Sequence, residues 1–235
     1  MKLATLQALN QARQDRRAIA VVTDLESNVE RLVAQADVSA DPLASELATQ
    51  FKQGKSRGID HEGRRYFITV HVPPVRVVMI GAVHISQALI PFARLLDHES
   101  IVVDPRTAFA SPERFPDVEL IAEWPDVALP PLKIDRYTAF VALTHDPKID
   151  EPALMHALER ECFYIGALGS RKTHARRLDR LRDVGLSEQA LARIHAPIGL
   201  DIGAISPAEI AVSIIAEITA ALRLESGDKK PRQPA

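Results

Sequence analysis

The first residues that could do chemistry form a turn that begins at Gly81. Val75–Ile80 is an apolar run typical of a buried strand, and it leads into Gly81-Ala82-Val83-His84 and then an apolar helix. About 20 residues after Gly81, the short apolar run Ile101-Val102-Val103 ends in Asp104. This order is typical of the first turn of a Rossmann domain, where the helix N-terminus faces a phosphate and the carboxylate meets a ribose hydroxyl.

The glycine pattern of this turn departs from the dinucleotide-binding fingerprint. A G-x-G-x-x-G loop would place glycine at position 83 and glycine or alanine at position 86, where this chain has Val83 and Ser86. The β-branched side chain of Val83 obstructs the close approach of a pyrophosphate. The turn therefore predicts a Rossmann-like fold, while an NAD(P)-dependent oxidoreductase stays an alternative. Asp104 could accept a ribose hydroxyl or only cap the turn through Pro105.

The segment Gly166–His174 is the best single candidate for an anion site. Gly166 and Gly169 free backbone N–H groups, and Ser170 can cap the helix that follows. Arg171 adds a bidentate donor suited to phosphate, and Lys172 adds a point charge. The alternative is a plain capped helix with solvated basic residues.

Other polar residues follow further apolar runs, and in an open parallel sheet ligands lie beyond the carboxyl ends of the strands. Turn and cap chemistry alone could also explain such residues. We assign no catalytic residue. The predicted cofactor-binding residues are Gly81, Ala82, Val83, His84, Asp104, Pro105, Arg106, Thr144, His145, Asp146, Gly166, Ala167, Leu168, Gly169, Ser170, Arg171, His174, Gly199 and Asp201.

Neither a metal site nor thiol chemistry is predicted. The loops contain four histidines, which are His84, His145, His174 and His195. These histidines lack the i, i+4 spacing typical of metal ligands, whether they are taken alone or together with Asp146 or Asp201. The chain has one cysteine, Cys162, in the apolar run Cys162–Ile165, where burial would leave the thiol inert. A single cysteine excludes an internal disulfide and fits a reducing cytoplasm.

The elements that must position these residues fall into two groups, separated at Pro73-Pro74. We predict that residues 1–72 form a small α+β module, that residues 75–224 form a Rossmann-like domain, and that residues 225–235 form a disordered tail. In the module we expect a helix from Leu3, strands at Ala18–Thr23, Val29–Val33 and Arg65–Val72, and a helix that Asp41-Pro42 caps and that runs to Lys52.

In the second group, apolar strands alternate with helices, which predicts a mostly parallel sheet covered on both faces. The predicted strands are Val75–Ile80, Ile101–Val103, Val118–Ala122, Thr138–Thr144 and Cys162–Ile165. The predicted helices are Ile85–Leu96, Glu151–Arg160, Lys172–Asp183, Ser187–His195 and Pro207–Leu224.

Composition excludes several classes of protein. The 235 residues carry a net charge of −2, whereas a nucleic-acid-binding domain usually has a basic face. No apolar run reaches the roughly 18 residues that span a membrane. The first residues lack the apolar core and cleavage site of a secretory signal, so we expect a cytoplasmic protein.

Five long blocks fall in the second group of elements: GAVHISQAL (Gly81–Leu89), VVDPRTAFASPERFP (Val102–Pro116), LTHDPKIDEPAL (Leu143–Leu154), YIGALGSRKTHARRL (Tyr164–Leu178) and IHAPIGLDIGAISPAEIAVSIIAEI (Ile194–Ile218). These blocks resemble the XdhC/CoxF family of accessory proteins of molybdenum hydroxylases, such as xanthine dehydrogenase and carbon monoxide dehydrogenase. The resemblance implies a Rossmann-like domain that binds molybdenum cofactor (molybdopterin) and helps to modify it or load it into an apoenzyme. A cysteine desulfurase is a partner in parts of the family.

The sequence also departs from that family. Residues 1–74 contain neither the Gly-Ser-Ser-Pro-Arg-like segment nor the Gly-Cys pair of typical members, and the turn reads Gly-Ala-Val-His where many relatives have Gly-Ala-Gly-His. We therefore expect a shortened branch that acts with a second accessory protein carrying the missing domain. A homodimer, or a scaffold that has lost its ligand and binds only protein, stays open.

Overall fold

The computed structural model describes residues 3–224, so the predicted disordered tail, 225–235, lies outside the described residues. Contacts within the chain define two compact units, with the boundary between Pro73 and Pro74. No helix in the described part is both long and apolar enough to cross a membrane.

The first unit is a four-stranded antiparallel sheet with two helices. Its strand order is β2-β1-β4-β3, and Val22, Leu47 and Ile68 are fully buried in it. The sequence predicted every strand except β3, an edge strand. The elements are α1 (Leu3–Gln14), β1 (Ile19–Asp24), β2 (Glu30–Ala34), α2 (Ala44–Gln53), β3 (Arg57–His61) and β4 (Arg64–His71).

The predicted cap of α2 was wrong. The helix begins at Ala44, after Leu43, and no side chain caps it. The Asp41 carboxylate instead accepts a hydrogen bond from the Leu43 backbone N–H at 2.9 Å and pairs with the Arg31 guanidinium at 2.8 Å. Asp41 therefore fixes the turn before the helix and ties it to β2.

The second unit is a six-stranded, all-parallel sheet in the order β10-β9-β8-β5-β6-β7, which confirms the predicted Rossmann-like fold. The elements are β5 (Arg76–Ile80), α3 (His84–Leu95), β6 (Glu99–Val103), β7 (Glu119–Ile121), α4 (Pro125–Ala128), β8 (Thr138–Ala142), α5 (Pro147–Glu159), β9 (Tyr164–Ala167), α6 (Arg171–Asp183), α7 (Glu188–Leu191), β10 (Ile194–His195) and α8 (Pro207–Arg223).

Helices cover both faces of this sheet, and alternate residues of β5 enter a different core on each face. One core lies under α5 and α6, and the other lies under α3 and α8. The first contains Val78, Ile80, Leu154 and Leu181. The second contains Val77, Met79, Leu89 and Ile214.

The order of the strands fixes where a ligand site can form. The chain runs from β5 outward through β6 to β7, then returns to build β8, β9 and β10 on the other side of β5. Ile80 at the end of β5 is in register with Val103 of β6 and with Ala142 of β8. The loops that follow these three strands therefore emerge side by side at the switch point, where doubly wound sheets bind ligands.

Three predicted boundaries were wrong. Helix α5 begins at Pro147 rather than Glu151, because Asp146 caps it and proline suits the first helical position. Cys162 precedes β9 instead of lying inside it, although it is buried as predicted. The predicted helix over Ser187–His195 is only α7, because Ile194 and His195 form the edge strand β10.

Candidate functional site

The turn after β5 starts at a residue that has no room for a side chain. Gly81 has a φ of +116°, and a Cβ atom there would lie 2.9 Å from Cγ2 of Thr144 in the loop after β8. The Ser86 hydroxyl donates a hydrogen bond back to the Gly81 carbonyl. Glycine at position 81 therefore lets the turns after β5 and β8 come into close contact.

Asp104, at the end of β6, is a fully buried carboxylate that the protein itself surrounds with donors. The Ala82 backbone N–H donates to Oδ2 at 2.8 Å, and the backbone N–H and Nε of Arg106 each donate to Oδ1 at 2.9 Å. Nη2 of Arg106 donates to Oδ2 at 2.8 Å. Burial alone would raise the pKa of Asp104, but the hydrogen bonds and charge of Arg106, with the Ala82 bond, lower it.

This arrangement assigns Asp104 a role in the turn itself. Four protein donors contact its two oxygens, so the carboxylate clamps the β5 turn to the β6 loop. The Arg106 guanidinium also lies over the Phe109 ring, 4.6 Å from its centre. Val83, half-buried against the core, is the residue before α3, and its side chain does not cap the helix.

The loop after β8 is organised by Asp150, a buried residue in the first turn of α5. Its Oδ1 accepts a hydrogen bond from the Thr144 hydroxyl at 2.7 Å, and its Oδ2 accepts one from the His145 backbone N–H at 3.1 Å. Burial raises the pKa of Asp150, although these hydrogen bonds and the charge of Arg177 act against it. His145 has a φ of +63° and an exposed side chain, so Asp150 holds it in the left-handed region that a non-glycine residue rarely adopts.

The loop after β9 contains the predicted anion segment. The Ser170 hydroxyl accepts a hydrogen bond from the Thr173 backbone N–H at 3.2 Å, so Ser170 caps α6 as predicted. Further along the helix, Arg177 is only 3% exposed and donates from Nη2 to the Leu168 carbonyl at 2.8 Å. Burial lowers the pKa of Arg177, with the charge of Asp150 opposing this shift. Within residues 3–224, Nη1 of Arg177 and Nδ1 of His174 are buried without a hydrogen-bond partner.

A cleft of about 730 Å³ lies beyond the ends of β9 and β10. One wall is the loop over residues 196–204, and others are formed by Leu168, Arg171 and the side of α8. Gly199 has a φ of +90°, and a Cβ atom there would lie 2.3 Å from the Ser213 hydroxyl. Glycine therefore lets the loop pack tightly on α8.

At one side of the cleft, Glu217 of α8 holds three elements together. The Tyr164 hydroxyl donates to its Oε2 at 2.7 Å, and the Gly199 backbone N–H donates to the same oxygen at 2.8 Å. Nδ1 of His195 lies 3.1 Å from Oε1. Burial would raise the pKa of Glu217, but the bonds from His195, Tyr164 and Gly199 lower it, so the carboxylate is charged.

The comparison with protein families identifies the second unit. Residues 77–218 match the XdhC Rossmann domain. The chain belongs to this family. The match begins in β5 and ends in α8, so the XdhC Rossmann domain contains the parallel sheet except Arg76, and every site residue described above.

Relatives and a solved structure agree with this assignment. The chain is 38% identical over 154 residues to the uncharacterized protein YqeB of Escherichia coli (strain K12), covering 65% of this chain and 28% of YqeB. It is 31% identical over 163 residues to the molybdenum cofactor insertion chaperone PaoD of the same organism, covering 69% and 45%. It is 32% identical over 153 residues to a protein of Bacillus subtilis (strain 168) named as a probable xanthine dehydrogenase subunit, covering 65% and 44%.

The chain therefore spans less than half the length of these curated relatives. Among solved structures, this chain resembles a crystal structure of a xanthine dehydrogenase from Bacillus halodurans, with a TM-score of 0.66 and 24% sequence identity. That match covers 97% of this chain and 66% of the other, and it supports the fold.

The XdhC Rossmann domain brings the predicted site residues together in two places. The first is the switch point, where Gly81, Ala82, Asp104, Arg106 and Thr144 are joined by the contacts above. The Arg106 charge also interacts with Asp146 and Asp150, and Asp150 with Arg177, which extends this group toward the loop after β9. The second place is the cleft, which Leu168, Arg171, Gly199 and Asp201 line.

The other predicted residues lie around these two places. Pro105 follows Asp104, and Asp146 caps α5 by accepting a hydrogen bond from the Lys148 backbone N–H. His84 is exposed at the start of α3, and His174 is half-buried on α6. Gly166 and Ala167 are buried at the end of β9, next to half-buried Gly169. Within residues 3–224, no three histidine, cysteine, aspartate or glutamate side chains are grouped so that they could hold a metal ion.

Sequence reasoning missed Asp150, Arg177, Tyr164 and Glu217 as residues that organise the site. Tyr164 and Glu217 are 53 positions apart, and no spacing rule connects them. Asp150 and Arg177 lie on charged helices where a solvated side chain is the ordinary expectation. The signal available for Asp150 was the Thr-His-Asp-Pro cap before it, which places the first turn of α5 four residues earlier.

Proposed function

We propose that this chain is a maturation factor for a molybdenum hydroxylase, which binds molybdenum cofactor and assists its modification or its insertion into the apoenzyme. The observation that carries the proposal is the family match over residues 77–218, together with a relative, PaoD, that is named as a molybdenum cofactor insertion chaperone. Another relative is named as a probable xanthine dehydrogenase subunit.

The donors at the carboxyl edge of the sheet suit a phosphate-bearing cofactor. Arg171 is an exposed guanidinium at the N-terminus of α6, where the backbone N–H groups and the helix dipole favour an anion. The nearby buried Nη1 of Arg177 and Nδ1 of His174, which have no protein partner among residues 3–224, add polar groups that a bound ligand or water could satisfy. Molybdopterin carries a phosphate, or a pyrophosphate when it is a dinucleotide, and would supply the client enzyme with its molybdenum centre.

Two features argue against a nicotinamide dinucleotide as the ligand. Asp104, which would have to accept a ribose hydroxyl, is clamped by Ala82 and Arg106. Val83 replaces the glycine that lets a pyrophosphate approach the turn. A phosphate-bearing pterin therefore fits this chain better than NAD(P) does.

Sulfur chemistry on the cofactor would belong to a partner. Cys162 is the only cysteine of the chain, and burial raises the pKa of its thiol to about 12. A thiolate at this position would be too rare to react at neutral pH. A cysteine desulfurase or a second accessory protein would therefore provide that step, and the hydroxylase apoenzyme would receive the cofactor.

A transfer assay tests the proposal. The chain is purified from cells that make molybdenum cofactor and is mixed with a molybdenum hydroxylase apoenzyme, and the recovered hydroxylase activity is measured. We expect more activity than the same quantity of free cofactor restores. The matched control is chain from cells that cannot make the cofactor, which should restore none. Equal activation by free and by protein-bound cofactor would argue against a role in insertion.

A further inference from the structure

His195 lines the 730 Å³ cleft, and one of its ring nitrogens is held by a carboxylate. The residue ends β10, lines the cleft, and has a side chain that is 28% exposed. Its Nδ1 faces Oε1 of Glu217 at 3.1 Å, and because a carboxylate can only accept, Nδ1 carries the proton. A neutral ring then has its lone pair at Nε2. Among the residues that the structure describes, none forms a hydrogen bond with Nε2.

Two further hydrogen bonds hold the Glu217 carboxylate in the position from which it orients the His195 ring. Its Oε2 is held by the Tyr164 hydroxyl at 2.7 Å and by the Gly199 backbone N–H at 2.8 Å, which leaves Oε1 for His195. Tyr164 is buried, and its ring lies 4.9 Å from the His195 ring. Glu217 lies inside α8, away from the ends where a carboxylate would cap the helix. Burying a carboxylate costs desolvation free energy, even when three donors bind it. Such carboxylates commonly fix the tautomer and the orientation of a histidine ring.

The rest of the cleft defines what could meet Nε2. Arg171 supplies a positive charge on the same lining, while Leu168, Ile198 and Ile210 supply apolar surface. A volume of about 730 Å³ is within the range of pockets that hold cofactor-sized molecules. The combination suits a ligand that has an anionic group at one end and a flat ring with N–H groups at the other.

We propose that His195, oriented by Glu217, is a ligand-binding residue of this cleft, and that its Nε2 accepts a hydrogen bond from a ring N–H of a phosphate-bearing aromatic heterocycle whose phosphate pairs with Arg171. A pterin is one such heterocycle, so the identity of the natural ligand rests on the proposed function. Glu217 is a positioning residue. The interaction of His195 with the ligand does not require Asp104 or the switch point.

Nitrogen NMR of the ¹⁵N-histidine-labelled chain tests the proposal directly. The probes are a pterin monophosphate, GMP, CMP and inorganic phosphate, and a His195→Gln sample assigns the His195 signals. We expect Nδ1 to be the protonated nitrogen in the free protein. We expect Nε2 to shift with the pterin monophosphate or GMP, which have a ring N–H, but not with CMP, whose ring has none, or with inorganic phosphate. His195→Ala should weaken the affinity for that probe about threefold to tenfold. His195 signals that neither the pterin monophosphate nor GMP moves, or an unchanged affinity of His195→Ala, would overturn the proposal.

Glu217→Gln separates positioning from simple structural support. The glutamine amide can donate to Nδ1, which would move the ring proton to Nε2 and remove the acceptor from the cleft. We expect this tautomer change in the spectrum and an affinity as low as that of His195→Ala, whereas Tyr164→Phe should keep the wild-type tautomer. An unchanged tautomer in a folded Glu217→Gln variant would contradict the role of Glu217. Nucleotide binding at His195 by a chain that carries no pterin and activates no hydroxylase would instead overturn the proposed function alone.

Discussion

Replacing Asp104 with alanine would remove the clamp that joins the two turns at the switch point. The change leaves the fully buried Ala82 N–H without its acceptor, which costs about 1–3 kcal/mol. It also removes the carboxylate that pairs directly with Arg106, but the Arg106 side chain is 32% exposed and can regain water, and Asp146 and Asp150 still interact with its charge. Breaking a fully buried ion pair costs about 3–5 kcal/mol. Because Arg106 is partly exposed, we expect Asp104→Ala to lower the free energy of unfolding by about 3 kcal/mol.

Urea and thermal unfolding of the wild type and of Asp104→Ala would measure this loss. For a protein of this size, about 3 kcal/mol corresponds to a decrease in Tm of roughly 6–12 °C. Arg106→Met should cost at least as much, because it leaves the Asp104 carboxylate buried and unpaired. Asp104→Ala combined with Arg106→Met should cost clearly less than the sum of the single changes. A loss below about 1 kcal/mol for Asp104→Ala, or additive losses, would refute the clamp.

The pH dependence provides an independent check on the same pair. The pKa of Asp104 is lowered from its ordinary value of 3.8, so the folded state favours the charged carboxylate. Its contribution is therefore fully present above about pH 4 and is lost as the pH falls through the lower, folded-state pKa. The difference in unfolding free energy between wild type and Asp104→Ala should stay constant from pH 7 to pH 5 and should shrink below pH 4. A difference that grows in acid would contradict the assignment.

Three further predictions concern other parts of the chain. Arg171→Ala should weaken binding of a pterin monophosphate about tenfold to a hundredfold without changing Tm. Arg176 is an exposed arginine on the same helix, and Arg176→Ala should leave the affinity unchanged. Equal effects of the two substitutions on affinity would show that Arg171 contributes only general surface charge. Cys162 should resist a thiol reagent in the native protein and react in urea, because burial raises its pKa; fast native labelling would contradict this. A fragment that begins at Pro74 should keep a cooperative unfolding transition, whereas a fragment of residues 1–72 should not, because its core is small. A stable 1–72 fragment with a cooperative transition would contradict this prediction.

The sequence predicted the parallel sheet because most of its strands are apolar runs, several of them followed by glycine or aspartate. Such runs need burial on both faces, and their order along the chain leaves few topologies. It failed for β3, whose residues Arg57–His61 are mostly polar and lie at the edge of the antiparallel sheet, so no apolar alternation marks them. It failed for β10 because two residues carry too little pattern to separate a strand from the end of a helix.

The candidate site was predictable in outline but not in its contacts. Glycine and cap residues mark where the loops turn, so their positions could be read from one segment at a time. The bonds of Glu217 to His195 and Tyr164 span 22 and 53 positions, and the charge of Arg177 meets Asp150 only after two helices have packed. Such partners depend on the completed fold and not on local spacing. The role of Asp104 also depends on where the Arg106 side chain turns, which the sequence does not specify.

The measurement that tests the central claim most directly is native mass spectrometry of the gently purified chain, with pterin and molybdenum analysis of the same sample. We expect a bound species that contains both a pterin and molybdenum in chain purified from cells that make the cofactor. Chain purified from cells that cannot make the cofactor should lack this species. A chain that carries a nicotinamide nucleotide, or only protein partners, with no pterin under either condition would contradict the proposal.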